Sequence, residues 1–364
     1  MLIDKYITQV LDNFPKSDNI WKYEDGCVLI GCANLYQATK EERYKQFVLD
    51  YLDQFIAEDG TIKGYDISKY NLDNINSGKV LFNAYSWTGE EKYKNAIEVL
   101  MEQIRKQPRT KSGSFWHKAI YPDQVWLDGL YMALPFYMMY ETKFNNMKNY
   151  NDIIDQFVAA RKFLFDKEKE LYYHGCDESK TIFWADKETG KSANFWIRAL
   201  GWYLMALTDV LSEMNEMVFE QYVILEELLR EGVKGILKYQ DSASKMFYQV
   251  IDHPEVPGNY LETSGSTMIS YAILKGCSLG ALLKEKYLSS GVEIFESIVN
   301  NRLREEDGTI KLTGICSVAG LGPESDTRRD GSILYYLSEP IVEDDRKGIG
   351  ALMMTYAQIK MLHK

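Results

Sequence analysis

Phe195-Trp196-Ile197-Arg198-Ala199-Leu200-Gly201-Trp202-Tyr203-Leu204-Met205 is apolar on most of its sides, whereas the stretch that follows, Glu213 to Lys238, is amphipathic and charged. A helix apolar nearly all round belongs inside a protein, and an amphipathic one lies outside with a single face turned inward. The two stretches therefore predict an inner and an outer helix, over 193–213 and 217–239. The same alternation is found in Gly78 to Tyr85, apolar and Gly-containing, followed by the charged Glu90 to Gln107. Working outward, helical periodicity recurs along the whole chain and strand alternation is scarce. Helices are predicted over 2–14, 22–39, 41–57, 71–88, 91–106, 124–141, 148–165, 193–213, 217–239, 260–277, 281–300 and 346–362. About twelve helices in inner–outer pairs imply an all-α fold, an (α/α)6 barrel of six helical hairpins with long rim loops. An open α-solenoid is the competing arrangement, and no strict repeat favours it.

Between the helices run long loops rich in Gly, Asp and Ser: 58–70, 107–121, 166–192, 240–259 and 301–345. Loops of this length inside a compact fold are usually functional, and a barrel gathers them at one rim. Short strands are expected at Tyr172-Tyr173-His174 and Gly308-Thr309-Ile310-Lys311-Leu312. No linker divides the chain, so residues 1–364 are expected to form one α/α-barrel catalytic domain.

The net charge of −11 argues against nucleic acid, whose phosphates need clustered Lys and Arg over a broad surface. It leaves room for a small anionic ligand held by local cations, such as those among Arg105, Lys106, Arg109, Lys111 and Lys118. No apolar run approaches membrane-spanning length, and Met1-Leu2-Ile3-Asp4-Lys5-Tyr6 lacks the pattern of a secretory signal. The five Cys are scattered and odd in number, which fits reduced thiols and a cytoplasmic location. The four His show no metal-ligand spacing, so no metal is expected. No GxSxG elbow, Walker sequence, HExxH or complete dinucleotide fingerprint is present (Gly320-Leu321-Gly322 lacks the third Gly), and no cofactor is expected.

Four groups of residues carry the chemistry. In His117-Lys118-Ala119-Ile120-Tyr121-Pro122-Asp123-Gln124-Val125-Trp126-Leu127-Asp128-Gly129-Leu130-Tyr131-Met132, the carboxylate of Asp128 sits among Trp, Tyr, His and Lys. An aromatic setting desolvates a carboxyl group and favours its protonated form, which prepares a general acid for work near neutral pH. Aromatic rings beside a carboxyl group also make the usual walls of a sugar site. Asp128 equally suits a helix N-cap. Pro135 interrupts the helix that follows, so a bend is expected there. Asp73, in Tyr70-Asn71-Leu72-Asp73-Asn74-Ile75-Asn76-Ser77-Gly78-Lys79, reads either as a cap or as the second carboxylate of a glycosidase pair. Asn194, Arg198 and Trp202 stand at i, i+4 and i+8, hence on one helix face. An Arg on so apolar a helix needs a carboxylate, from the protein or from a substrate, and Trp202 one turn on could stack on a sugar ring. His174, in Tyr172-Tyr173-His174-Gly175, is suited to bonding a sugar hydroxyl, and Tyr23 to adding an aromatic wall.

Taken together, these residues resemble the unsaturated rhamnogalacturonyl hydrolases of glycoside hydrolase family 105. The resemblance extends from about Trp21 to the C-terminus. It is most specific over His117 to Met132, in Phe195-Trp196-x-Arg198-x-x-Gly201-Trp202, and in Leu337-Ser338-Glu339-Pro340 followed by Gly348-Ile349-Gly350-Ala351. It implies a six-hairpin barrel. It also implies removal of a Δ4,5-unsaturated galacturonyl residue from the non-reducing end of a rhamnogalacturonan oligosaccharide, by hydration of the C4=C5 vinyl ether. By the resemblance Asp128 is the catalytic acid and Asp73 positions substrate or water. His174, Arg198 and Trp202 match pocket positions, His117 and Lys118 lie in a matching loop, and Trp126, Trp196 and Tyr23 complete the expected binding set. No metal is needed. The substrate carboxylate requires a cation, for which Arg198, Lys118 and the pair Arg328-Arg329 are candidates.

Two alternatives stay open at this point. The related family 88 hydrolyses an unsaturated glucuronyl end, from glycosaminoglycan or algal polysaccharide, on a similar barrel. A non-catalytic helical-repeat binding protein would need neither Asp128 nor an enclosed aromatic pocket. The partners expected are a small anionic oligosaccharide, no nucleic acid and no membrane, with the chain a monomer or a weak homo-oligomer.

Overall fold

The computed structural model describes residues 1–15, 19–215 and 217–362. Its helices are α1 Leu2–Asp12, α2 Tyr23–Thr39, α3 Glu42–Leu52, α4 Lys79–Thr88, α5 Glu91–Lys106, α6 Leu127–Phe144, α7 Tyr150–Leu164, α8 Ile197–Glu213, α9 Phe219–Ile236, α10 Thr263–Ser278, α11 Lys284–Arg302, α12 Ile333–Ser338 and α13 Arg346–Leu362. Helices α2, α4, α6, α8, α10 and α13 form an inner ring, each packed on the next, and α13 returns along α2 to close it. Helices α3, α5, α7, α9 and α11 pack outside as hairpin partners. The sixth outer helix is α1, tied to α13 by the Tyr356 hydroxyl donating to Asp4 at 2.7 Å. The (α/α)6 barrel expected from the hairpin pattern is the fold observed, and ring closure rules out the open solenoid.

Burial follows the sequence pattern. Every residue of α8 from Ile197 to Leu211 is buried, whereas α9 buries one stripe that includes Leu225, Leu229, Val233 and Ile236. Helix α6 is buried from Leu127 to Glu141 and runs on through Pro135. Proline has no N–H to give the carbonyl four residues back, so Pro135 leaves the carbonyl of Tyr131 without its helical partner. The side-chain nitrogen of Lys79, reaching across from α4, donates to that carbonyl at 2.7 Å.

Several boundaries differ from the periodicity, each for a local reason. The span 71–88 divides into a 3-10 helix, Leu72–Gly78, and α4. The first residues of 124–141 are a strand, Gln124–Trp126, paired antiparallel with Gly175–Asp177. Helix α8 starts at Ile197 because Trp196 is extended and bridges Val250. Asn194 therefore lies before the helix, bonded to the carbonyl of Gly331 at 2.8 Å, and does not share the face of Arg198 and Trp202. Helix α12, inside the long 301–345 loop, was not anticipated; the Ser332 side chain caps it by accepting from the Tyr335 N–H. The expected strands near 172 and 309 are present, as Leu171–Tyr172 against Phe165–Asp166 and Thr309–Leu312 against Leu303–Glu306.

Because inner and outer helices alternate in direction, all six inner helices are parallel. Their N-termini meet at one mouth, where Tyr23, Asp73, Asp128, Arg198 and Lys347 all lie. The other mouth holds a cavity of about 320 Å³ whose lining includes Asp209, Tyr271 and Lys275. Within it, Asp209 accepts from Tyr271 and Lys275 at 2.7 Å each. Among the described residues no helix is long and apolar enough to cross a membrane.

Candidate active site

The strand pairing at 124–126 and 175–177 builds the first half of the site. The Leu127 N–H donates to the His174 carbonyl at 3.1 Å, which sets Asp128 and His174 side by side. Trp126 holds the cap position of α6 and Asp128 is its second residue, so Asp128 is not the N-cap. Asp128 Oδ2 lies 3.2 Å from His174 Nε2. The alignment falls short of a hydrogen bond, and both buried atoms have no other partner among the described residues. His174 Nδ1 pairs with the Tyr336 hydroxyl at 2.8 Å. The imidazole stands 5.5 Å from the Trp126 ring, edge to face, and 4.8 Å from that of Trp196. Trp196 is in turn fixed by its indole N–H to Gln249 Oε1 at 3.1 Å.

The second half comes from the 107–121 loop and the 3-10 helix. Asn71 caps that helix by accepting from the Asp73 N–H, so Asp73 too is not the cap. Lys118 Nζ is 2.6 Å from Asp73 Oδ2, and His117 Nε2 is 3.5 Å from Asp73 Oδ1. Burial pushes the Asp73 carboxyl up, but Lys118 and His117 outweigh it and hold the group below the usual carboxylate range. Burial also pushes His117 down to about 4, against the pull of Asp73, so the ring is neutral near pH 7. The ring stacks on Trp126 at 4.3 Å with 19° between planes. Gly129 is required beneath it, since a Cβ there would stand 2.9 Å from His117 Nδ1.

Arg198 is buried and lies over the Trp196 ring at 4.7 Å. Among the described residues it pairs with no protein carboxylate. It donates to the Cys316 carbonyl, to Ser264 Oγ at 3.3 Å and to the Ser317 carbonyl at 3.4 Å. The carboxylate of Glu262 instead caps α10, accepting from the N–H groups of Ser264 and Gly265. Trp202, one turn beyond Arg198, is buried and stacks on Tyr131 at 4.7 Å. Tyr23 is half-buried; burial and the nearby charges of Glu24 and Asp73 push its hydroxyl up while Arg198 pulls it down. Lys347, 5.9 Å from the Tyr23 ring centre, is paired with Asp345 at 2.8 Å.

Around Trp126 a rim wall separate from the barrel core gathers Tyr121, Ile182, Trp184, Ala185 and Leu321. The sequence reading missed Tyr336, Gln249 and Trp184. Tyr336 had a visible signal, standing beside Tyr335 just before the quoted Leu337-Ser338-Glu339-Pro340. Gln249 and Trp184 had none. Among the described residues no three His, Cys, Asp or Glu side chains gather to hold a metal ion.

A closed ring of paired helices with two carboxylates and aromatic walls at its helix N-termini is a carbohydrate-type site on an (α/α)6 barrel, an arrangement glycoside hydrolases share with other enzymes. Comparison with known proteins carries this to the family. A family model described as Glycosyl Hydrolase Family 88 matches residues 2–363, and the chain belongs to that family. A glycoside hydrolase from family 105 of C. acetobutylicum ATCC 824 has the same structure at a TM-score of 0.92, with 44% identity over 98% of each chain. Family 105 is the resemblance read from the sequence. Protein Atu3128 of Agrobacterium fabrum is 40% identical over 235 residues, which is 64% of this chain and 99% of that protein. The unsaturated rhamnogalacturonyl hydrolase YesR of Bacillus subtilis is 25% identical over 317 residues, 84% of each chain.

Proposed function

We propose that this protein, acting as one catalytic domain over 1–364 in the cytoplasm, removes a Δ4,5-unsaturated galacturonyl residue from the non-reducing end of rhamnogalacturonan oligosaccharides. One observation carries the reading: two buried carboxylates share the mouth, but in opposite environments. Asp73 is held ionised by Lys118, whereas no Lys or Arg lies within ion-pair reach of Asp128 among the described residues. Unlike settings of this kind separate the roles of two carboxyl groups. The activity of the Bacillus subtilis relative, an unsaturated rhamnogalacturonyl hydrolase, supports the choice of substrate.

In this reading Asp128 gives its proton to C4 of the vinyl ether, leaving an oxocarbenium centre at C5 shared with the ring oxygen. Water adds at C5, and Asp128, now a carboxylate, takes its proton. The hemiketal opens and the leaving sugar is released, so one water is consumed and no carboxylate attacks C1. His174, held by Tyr336, keeps its Nε2 3.2 Å from Asp128 Oδ2, within reach of the proton that Asp128 gives and takes back. Asp73 accepts from the water or a sugar hydroxyl, His117 and Lys118 keep it in place, and Tyr23, Trp126, Trp196 and Trp202 with Arg198 shape the pocket.

The test is the ultraviolet absorbance of the conjugated double bond during incubation with Δ4,5-unsaturated galacturonyl-rhamnose. Wild type is expected to bleach it. Asp128→Asn is expected to bind the disaccharide and to lose roughly 10²- to 10⁴-fold in kcat, the usual worth of a general acid. Bleaching of an unsaturated glucuronyl disaccharide alone would move the substrate to that class. No bleaching of either would overturn the enzymatic reading of the pocket.

A further inference from the structure

The cations around the active mouth are unequally occupied. Lys118 is paired with Asp73 at 2.6 Å, Lys347 with Asp345 at 2.8 Å and Arg328 with Glu339 at 2.9 Å. The terminal nitrogens of Arg198 are taken by two carbonyls and a serine hydroxyl. Arg329 differs from all of them. Its Nε donates to the Tyr335 hydroxyl at 3.4 Å, while its two terminal nitrogens make no hydrogen bond and no ion pair among the described residues, Asp326 acting on it only through its charge.

Its place is fixed by its own loop. The Gly322 N–H donates to the Arg329 carbonyl at 2.8 Å, and the Trp184 indole N–H holds the Gly322 carbonyl at 3.0 Å. The Tyr335 hydroxyl that receives Nε also accepts from the Gly320 N–H at 2.9 Å. A Cβ on Gly320 would stand 2.6 Å from Arg329 Nη2 and 3.2 Å from the Trp126 ring, so the guanidinium lies against bare backbone beside that tryptophan. Trp126 touches both His117 and His174. The charge of Arg329 is also felt at Lys118 and Tyr121, on the same side of the pocket. A half-buried guanidinium with its outer fork unused is suited to a planar carboxylate brought by a ligand, which it can bind through two parallel bonds.

We propose that Arg329 determines specificity by binding the carboxylate of the uronyl residue that is removed. This rests on the unsaturated uronyl reading above. The test compares wild type, Arg329→Gln and Arg329→Lys on the unsaturated galacturonyl disaccharide and on its methyl ester, which keeps the vinyl ether and loses the charge. Wild type is expected to prefer the acid. Arg329→Gln should raise KM for the acid roughly tenfold or more, as loss of a charged hydrogen bond does, with kcat within a few-fold and the preference over the ester gone. Arg329→Lys should recover part of it. Equal KM changes for acid and ester, or none, would overturn the proposal. Calorimetric binding of saturated galacturonate separates the two readings. If wild type binds it but turns over no unsaturated substrate, the functional reading fails, while a tenfold loss of galacturonate binding in Arg329→Gln still supports the role of Arg329 and unchanged binding still refutes it.

Discussion

Asp73 and Lys118 form an ion pair beside a neutral His117, and His117 gives the group a pH signature. Buried and neutral, its folded pKa of about 4 lies below the ordinary value of 6.5. A histidine depressed in this way binds its proton more readily when unfolded. Its contribution to stability is complete above pH 6.5 and is lost as pH falls from there toward 4, up to about 3 kcal/mol at roughly 1.4 kcal/mol per unit. Asp73, also depressed, loses its contribution at lower pH, as its carboxyl protonates below the usual carboxylate range. The two windows therefore separate. Urea midpoints of wild type and His117→Gln at pH 7.5 and pH 5 provide the check. The variant, without the stack on Trp126, should be clearly weaker at pH 7.5, and the gap should narrow at pH 5. A gap constant across that range would show that His117 is not buried as a neutral ring. At this scale the sequence was informative wherever a residue type announces its chemistry. Asp128, Asp73, Lys118 and His174 stand out as polar groups in aromatic or apolar surroundings. Gln249 does not, because its value lies in holding the Trp196 indole from a distant loop.

At the scale of the element, α6 shows how a broken local rule is compensated from outside. Proline in a helix interior costs about 3 kcal/mol or more, and Pro135 sits where the helix is wholly buried. Lys79 answers the freed Tyr131 carbonyl, with a second bond to Asn76 Oδ1 at 2.9 Å and its nitrogen over the Tyr131 ring at 3.4 Å, although burial pulls its amine down to about 7. Lys79→Met removes the donor and leaves a buried carbonyl unpaired, which should cost about 1–3 kcal/mol. In a Pro135→Ala background the backbone N–H at 135 can serve that carbonyl, so Lys79→Met should cost less there. A double-mutant cycle by chemical denaturation measures the difference, and strictly additive costs would mean that Lys79 does not serve that carbonyl. Pro135 was legible as an interruption. The remedy was not, because no periodicity links a lysine on α4 to a carbonyl on α6. Asn194 failed for a related reason. Its helical spacing to Arg198 and Trp202 was real on paper, but the bridge from Trp196 to Val250 holds the chain extended until Ile197.

For the whole molecule, alternation of apolar and amphipathic helices was enough to give the inner and outer rings, because burial sorts the two kinds by itself. Closure was harder to foresee, since it joins helices from opposite ends of the chain, and the outer partner of the last inner helix is the first helix of all. The seam between α2 and α13 shows what closure demands. A Cβ on Gly350 would lie 2.3 Å from the Cys27 carbonyl oxygen, and one on Gly31 would lie 2.7 Å from Met353 Cβ. The obstacle at Gly350 is backbone, which cannot swing aside like a side chain. In an open helix interior, replacing Gly by Ala stabilises by about 1 kcal/mol. At Gly350 the sign should reverse, because the added methyl forces the two helices apart, and overpacking of this kind costs about 1–3 kcal/mol. Thermal and urea unfolding of Gly350→Ala against wild type decide the matter, with Gly350→Val expected to be worse in the same direction. A gain in stability for the alanine variant would mean that the helices meet more loosely at this seam, and that the ring is held shut by its other contacts.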